Sequence, residues 1–118
     1  MSRSRDAAEA EMQEPLTPAM FHVLLALADG EKHGYAILKE VARRTGGKVQ
    51  LSAGTLYGII KRLLNDGLIR ESGILSKDDE RRRSYDLTAF GREVARAEAA
   101  RLEQTLAIAK RKALFRKA

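Results

Sequence analysis

The residues of this 118-residue chain that could do chemistry are cations and hydroxyls, and the partner they suit is a phosphate. Lys61 and Arg62 stand together late in a helical pattern that Ser52 and Thr55 open, and Arg81, Arg82 and Arg83 follow as a block. Lysine and arginine neutralise phosphate, and arginine can also grip guanine through two parallel hydrogen bonds. Hydroxyls near a helix N-terminus join free amides and a positive dipole end in holding an anion. Other chemistries lack their parts. There is no cysteine for a disulfide or thiolate site, His22 and His33 are too isolated to form a metal centre, and no nucleophile pairs with a base. The chain therefore reads as a non-enzyme with no cofactor and no metal.

The distribution of charge supports the same partner. The formal charge is +6 and the isoelectric point is about 9.9. Residues 31–70 and 101–118 each carry a net +5, whereas residues 1–15 carry −2. The basic tail suits a solvated helix end, but the basic centre coincides with the helix bearing Lys61. The longest apolar run, Met20 to Ala28, is interrupted by His22 and falls short of the roughly 20 residues of a membrane span. With a polar N-terminus unlike a signal peptide, the chain is expected to be soluble, cytoplasmic and without a membrane partner.

The segment from Ser52 to Ile69 positions the first group of candidates. At about 100° per residue, Leu56, Ile59, Ile60, Leu63 and Leu64 share a buried arc, while Gly54, Gly58, Lys61 and Asn65 lie opposite. Each helix-interior glycine costs about 1 kcal/mol relative to alanine, so an outward face that keeps two of them suits a partner that comes close. Nucleic acid backbone fits that gap. Tyr57 sits at the edge of the buried arc, with its ring toward the core and its hydroxyl within reach of DNA. Tyr35, at the start of the preceding helix, is divided between a phosphate contact and packing.

The remaining elements follow from capping and periodicity. Residues 1–14 are polar and read as a frayed or flexible appendage. Thr17 and Pro18 start a first helix, running to about Ala28, with Phe21, Leu24, Leu25 and Leu27 as its apolar positions. A second helix spans about Tyr35 to Thr45 and stops at Gly46 and Gly47. Ser52 caps the third, which ends near Gly67. The period then becomes alternating: Leu68 to Leu75 and Arg83 to Leu87 read as two short strands joined by the charged SKDDERR connection. Thr88 caps a long final helix. The fold is therefore mainly α with a small two-stranded antiparallel hairpin, in the order of a winged helix-turn-helix plus a long C-terminal helix. Residues 15–88 form the winged domain and 89–118 the last helix.

Within the wing, Arg81, Arg82 and Arg83 alternate in direction if extended, so at most two face DNA together, while Asp78, Asp79 and Glu80 form the outer turn. On the last helix, Phe90, Val94 and Ala97 share a face directed at the domain. Ala95, Ala99, Leu102, Leu106, Ala109 and Ala113 follow a heptad-like spacing suited to a second copy. A homodimer built that way sets two reading helices about 34 Å apart and favours a pseudo-palindromic site on double-stranded DNA.

At these residues the chain resembles the PadR family of transcriptional regulators. The likeness is carried by His33, Gly34 and Tyr35; by Ser52, Gly54, Thr55, Leu56 and Tyr57; by Arg62, Leu63, Gly67, Leu68 and Ile69; and by Asp79 through Arg83, Tyr85, Leu87, Thr88 and Gly91. It extends over about residues 16–100. The resemblance implies a dimeric, sequence-specific DNA-binding repressor, often released by a small-molecule effector, in the short subgroup that dimerises through one C-terminal helix. Two positions depart from the family pattern: Gly58 stands where proline is common, and Ser84 where an aromatic is common. The alternative reading is a winged-helix protein-interaction module that does not read DNA. Gly54, Thr55, Lys61 and the arginine wing weigh against it.

Overall fold

The computed structural model describes residues 9–10, 13, 15–72 and 83–115. Among the described residues from 15 onward, the elements follow one another as α1 (Pro18–Ala26), β1 (Lys32–His33), α2 (Gly34–Arg44), α3 (Ala53–Asn65), β2 (Ile69–Ser72), β3 (Ser84–Leu87) and α4 (Ala89–Arg111). Three helix starts carry the caps that their sequence announces. The side chain of Thr17 accepts from the Met20 amide at 3.2 Å, Ser52 from Thr55 at 3.1 Å, and Thr88 from Gly91 at 2.9 Å.

The core is built from one face of each helix and the inner face of the sheet. Val23, Leu24 and Leu27 meet Ile37 and Val41 of α2, Leu56, Ile60 and Leu63 of α3, and Val94 of α4, with Leu68, Ile69 and Tyr85 closing the sheet side. In α1 the buried set is Met20, Val23, Leu24 and Ala26, while Phe21 and Leu25 are half-buried. That helix is apolar on almost every side, so periodicity gives no unique inward face. On α3 the expected arc is inward: Leu56, Ile60 and Leu63 are buried, with Ile59 and Leu64 flanking them half-buried.

The hairpin gains a strand that the sequence does not announce. Lys32 pairs with Tyr85 and His33 with Ser84, so the sheet order is β1-β3-β2 and β3 lies in the centre. Two polar residues carry no alternation of apolar and polar positions, which is why β1 escapes a pattern reading. Ser84, the family departure, is buried, and its Oγ lies 3.1 Å from His33 Nδ1. A polar contact between β1 and β3 thus stands where a larger ring would pack. On the other side, β2 pairs with β3 from Ile69↔Leu87 to Ser72↔Ser84. Leu75 and the SKDDERR connection lie outside the described residues.

Two buried carboxylates and one glycine lock the helices to their surroundings. Glu98 of α4 accepts from the Leu16 amide at 3.2 Å and from Arg101 Nη2 at 2.6 Å, fastening the segment before α1 to the last helix. Glu40 of α2 is held by Arg44 and lies 3.6 Å from Lys32 Nζ, joining α2 to β1. Gly91 packs so close to the chain after α3 that a Cβ there would stand 1.8 Å from the Leu68 carbonyl oxygen. That same oxygen accepts the Thr88 amide at 3.1 Å, while the Thr88 hydroxyl donates to Gly67 O at 2.6 Å.

The last helix ends sooner than the expected 89–118 span. It stops at Arg111 with Lys112 as its C-cap, and Ala113 adopts φ 64 beyond it. Ala113 therefore does not continue the helical stripe as expected. Left-handed backbone breaks the 3.6-residue period, whatever the side chain.

Candidate nucleic-acid interface

The outward face of α3 is open and small at its centre. Gly54 and Gly58 are exposed, and a Cβ built on either meets nothing within 4 Å. Their missing side chains make room for no other described residue. Lys61 is exposed on the same face and makes no ion pair with a described residue. Ser52, which caps the helix, also donates its hydroxyl proton to Thr55 Oγ1 at 2.9 Å, so these two exposed hydroxyls form one local unit at the helix N-terminus. Such a unit leaves lone pairs and helix amides turned outward.

Other candidates lie to either side of that face. Tyr57 is half-buried and borders the start of α2, where a Cβ on Gly34 would stand 3.0 Å from the Tyr57 hydroxyl oxygen. The ring is therefore a packing element, and Gly34 is the residue that makes room for it. Tyr57 and Lys61 line one wall of a cleft of about 280 Å³ whose other wall is Glu71, Arg83 and Tyr85 of the wing. Arg62 points to the opposite flank. Its Nε lies 3.9 Å from Asp66 Oδ2, and it borders a separate cleft of about 330 Å³ with Pro15, Leu16, Thr17 and Met20.

The wing base is partly neutralised. Arg83 is half-buried, its Nη1 lies 3.3 Å from Glu71 Oε1 across the β2–β3 pair, and its buried Nε has no hydrogen-bond partner among the described residues. The acidic partner is thus a residue of β2. Arg81 and Arg82 lie outside the described residues, as do Asp78, Asp79 and Glu80. At the other end of the face, Tyr35 is 60% exposed at the start of α2, and Lys39 Nζ sits 4.9 Å from its ring centroid. Lys39 was not singled out by the sequence pattern, although its place one turn after Tyr35 is the signal that could have found it.

The expected partner-facing stripe of α4 separates into a covered and an uncovered part. Ala95 packs against the core, whereas Ala99 is exposed and Ala109 half-buried. Leu102, Leu106 and Ile108 are 47%, 44% and 48% exposed. Leu114 and Phe115, past the helix end, are also exposed. Ile108 was not in the expected stripe. No helix among the described residues is long and apolar enough to cross a membrane, and no group of metal-ligating side chains occurs among them.

Residues 23–97 match the model of the Transcriptional regulator PadR-like family. A 37.1 kDa protein of transposon TN4556 from Streptomyces fradiae is 40% identical over 81 residues, covering 69% of this chain and 22% of that protein. The chain thus spans about a fifth of that relative's length. Among solved structures, a transcriptional regulator from Clostridium thermocellum superposes with a TM-score of 0.68 at 22% identity, covering 93% of this chain and 97% of that one. Bordetella bronchiseptica BpsR, whose DNA binding is regulated by 6-hydroxynicotinic acid, gives a TM-score of 0.61 at 29% identity, covering 85% and 71%.

Proposed function

From the premise that this chain belongs to the PadR-like family of transcriptional regulators, a family of DNA-binding proteins rather than enzymes, we propose that it acts as a homodimeric, sequence-specific repressor. The observation that carries the reading is the outward face of α3, where Gly54 and Gly58 leave open space beside Lys61, which forms no ion pair with a described residue. A face kept free of side chains lets the helix sink into the major groove. Its neighbouring cation then meets the backbone. Ser52, Thr55 and Tyr35 add donors around that face, with Arg62 and Arg83 near it, each beside a carboxylate, while Arg81 and Arg82, outside the described residues, are assigned to DNA from the sequence alone.

The uncovered leucines of α4 support dimerisation through that helix. Leu102 and Leu106, flanked by Ala99 before and Ala109 after, present a narrow apolar seam that a second copy covers. Two copies set the reading helices about one DNA turn apart, so the preferred site is pseudo-palindromic. The action of 6-hydroxynicotinic acid on BpsR supports a small-molecule effector here as well, acting between the paired helices of the dimer. The working place of such a repressor is the cytoplasm.

The test is a binding titration against random genomic fragments, followed by footprinting and a salt series on the selected site. The expected footprint is two-fold symmetric, and log affinity falls linearly with log salt. Equal affinity for every fragment removes sequence reading from the proposal.

A further inference from the structure

We infer that the cleft of about 330 Å³ between the segment before α1 and the C-terminal turn of α3 is a binding site for a small amino-acid zwitterion with an apolar side chain. The site lies within one protomer, apart from the space between paired helices. Its recognition chemistry is independent of the face that bears Lys61, and only its effect on DNA rests on the DNA-binding reading above.

Charge at the mouth sets the class of ligand. Arg62 and Asp66 are both exposed on the rim, one turn apart, with Arg62 Nε 3.9 Å from Asp66 Oδ2. That separation is too long for a hydrogen bond, so the guanidinium keeps its donors, and the carboxylate its lone pairs, for another group. A plain anion on Arg62 would lie against Asp66, and a plain cation on Asp66 would lie against Arg62. A ligand that carries a carboxylate and an ammonium on one carbon satisfies both, its charge pair lying antiparallel to theirs.

The interior sets the body of the ligand. Half-buried Leu16 and buried Met20 and Leu68 form the apolar wall, and the Thr17 hydroxyl beside them is already engaged by the Met20 amide. An apolar side chain gains by leaving water there, whereas a polar one would exchange water for hydrocarbon. The volume lies near the lower bound of about 300 Å³ for small-molecule sites, which suits one amino acid rather than a peptide.

The walls also tie the site to the rest of the molecule. One wall is the reading helix, and the other contains Leu16, whose amide donates to the buried Glu98 of α4 at 3.2 Å. A ligand carboxylate on Arg62 holds that guanidinium at the cleft and away from a phosphate. Ligand and DNA then compete for one cation, and each lowers the affinity of the other by the same factor.

The experiment is calorimetric titration of the full chain with L-leucine and L-valine, each beside the acid that lacks its ammonium (isocaproate, isovalerate) and the amine that lacks its carboxylate (isopentylamine, isobutylamine). At least one of the two amino acids is expected to bind saturably, and to lose about tenfold or more in affinity when either charged group is absent. Asp66→Asn, an exposed change at the helix C-cap, is expected to weaken the amino acid and strengthen the matching acid, with a circular dichroism melt as the check on folding. A merely structural role would not reverse that preference. Amide shifts in NMR spectra of the parent chain should cluster in residues 15–20 and 62–68. Failure of both amino acids to bind, equal affinity for an amino acid and its acid, or shifts clustered elsewhere overturns the inference. In a chain that binds DNA, unchanged DNA affinity at saturating amino acid removes the competition. A parent chain that binds no DNA removes the repressor reading, while calorimetry still decides the site.

Discussion

Replacing each of three helical glycines by alanine should give opposite results from the same chemical change. At Gly58 the added methyl meets nothing within 4 Å, so the helix gains the propensity difference of about 1 kcal/mol. In a domain of this size that raises the melting midpoint by about 4 °C. Gly54→Ala, also in open space but nearer the helix start, should gain up to about as much. At Gly91 the methyl would lie 1.8 Å from the Leu68 carbonyl oxygen, and no rotamer change can relieve a clash between two backbone positions. Overpacking costs about 1–3 kcal/mol where side chains can adjust, so this variant should lose at least about 3 kcal/mol. That is a large part of the roughly 5–15 kcal/mol available to a domain. The assay is urea and thermal unfolding by circular dichroism at one fixed protein concentration, because a dimer's midpoint depends on concentration.

The same variants separate stability from function. If DNA approaches the open face closely, the more stable Gly58→Ala should bind its site at least about tenfold more weakly, or about 1.4 kcal/mol. Undiminished binding would refute close approach at Gly58. A Gly58→Ala less stable than the parent would refute the openness of the face, and a neutral Gly91→Ala would refute the contact between α4 and Leu68.

Three further outcomes are expected. Leu102→Glu combined with Leu106→Glu should give monomers in sedimentation, since two carboxylates in the seam oppose each other across the dimer; an intact dimer would move the interface elsewhere. Glu98→Ala leaves the Leu16 amide and Arg101 without their acceptor and should cost about 1–3 kcal/mol, with faster hydrogen exchange at Leu16 than in Glu98→Gln. The Lys32 ammonium, through its hydrogen bond and its charge, holds the exposed Asp29 carboxyl below the usual carboxylate range. Its small contribution to stability is therefore present above the unfolded pKa and is lost as pH falls through the folded one, and Asp29→Asn should remove that acid-limb slope from a pH series of melts.

The parts of the fold legible in the sequence are those with local causes. Caps at Thr17, Ser52 and Thr88 place helix starts because hydroxyl and amide lie within four residues of each other. The two faces of α3 are legible because five large apolar residues keep a strict period. What escapes depends on distant chain. The pairing of Lys32 and His33 with β3, the void that Gly34 leaves for Tyr57, and the approach of Gly91 to Leu68 each require a partner that no local pattern names. Among site residues, Lys61 is legible as an outward cation. The pairing of Arg83 with Glu71 depends on which carboxylate tertiary structure brings near, whereas Arg62 and Asp66 form a local i, i+4 pair that the spacing alone offers.

The central place of β3 in the sheet has a bearing on how the molecule is made. Synthesis from the N-terminus delivers β1 and β2 to the growing chain well before Ser84–Leu87 emerges, and in the finished sheet neither bonds to the other. Both must wait, with their edge amides and carbonyls solvated, until the middle strand arrives to join them. The helices can gather early through local contacts, but the wing closes in one late event. A ribosome-bound chain cut short before residue 84 would therefore hold the reading helix without the sheet that braces it, and DNA binding should appear only once that strand has cleared the exit tunnel.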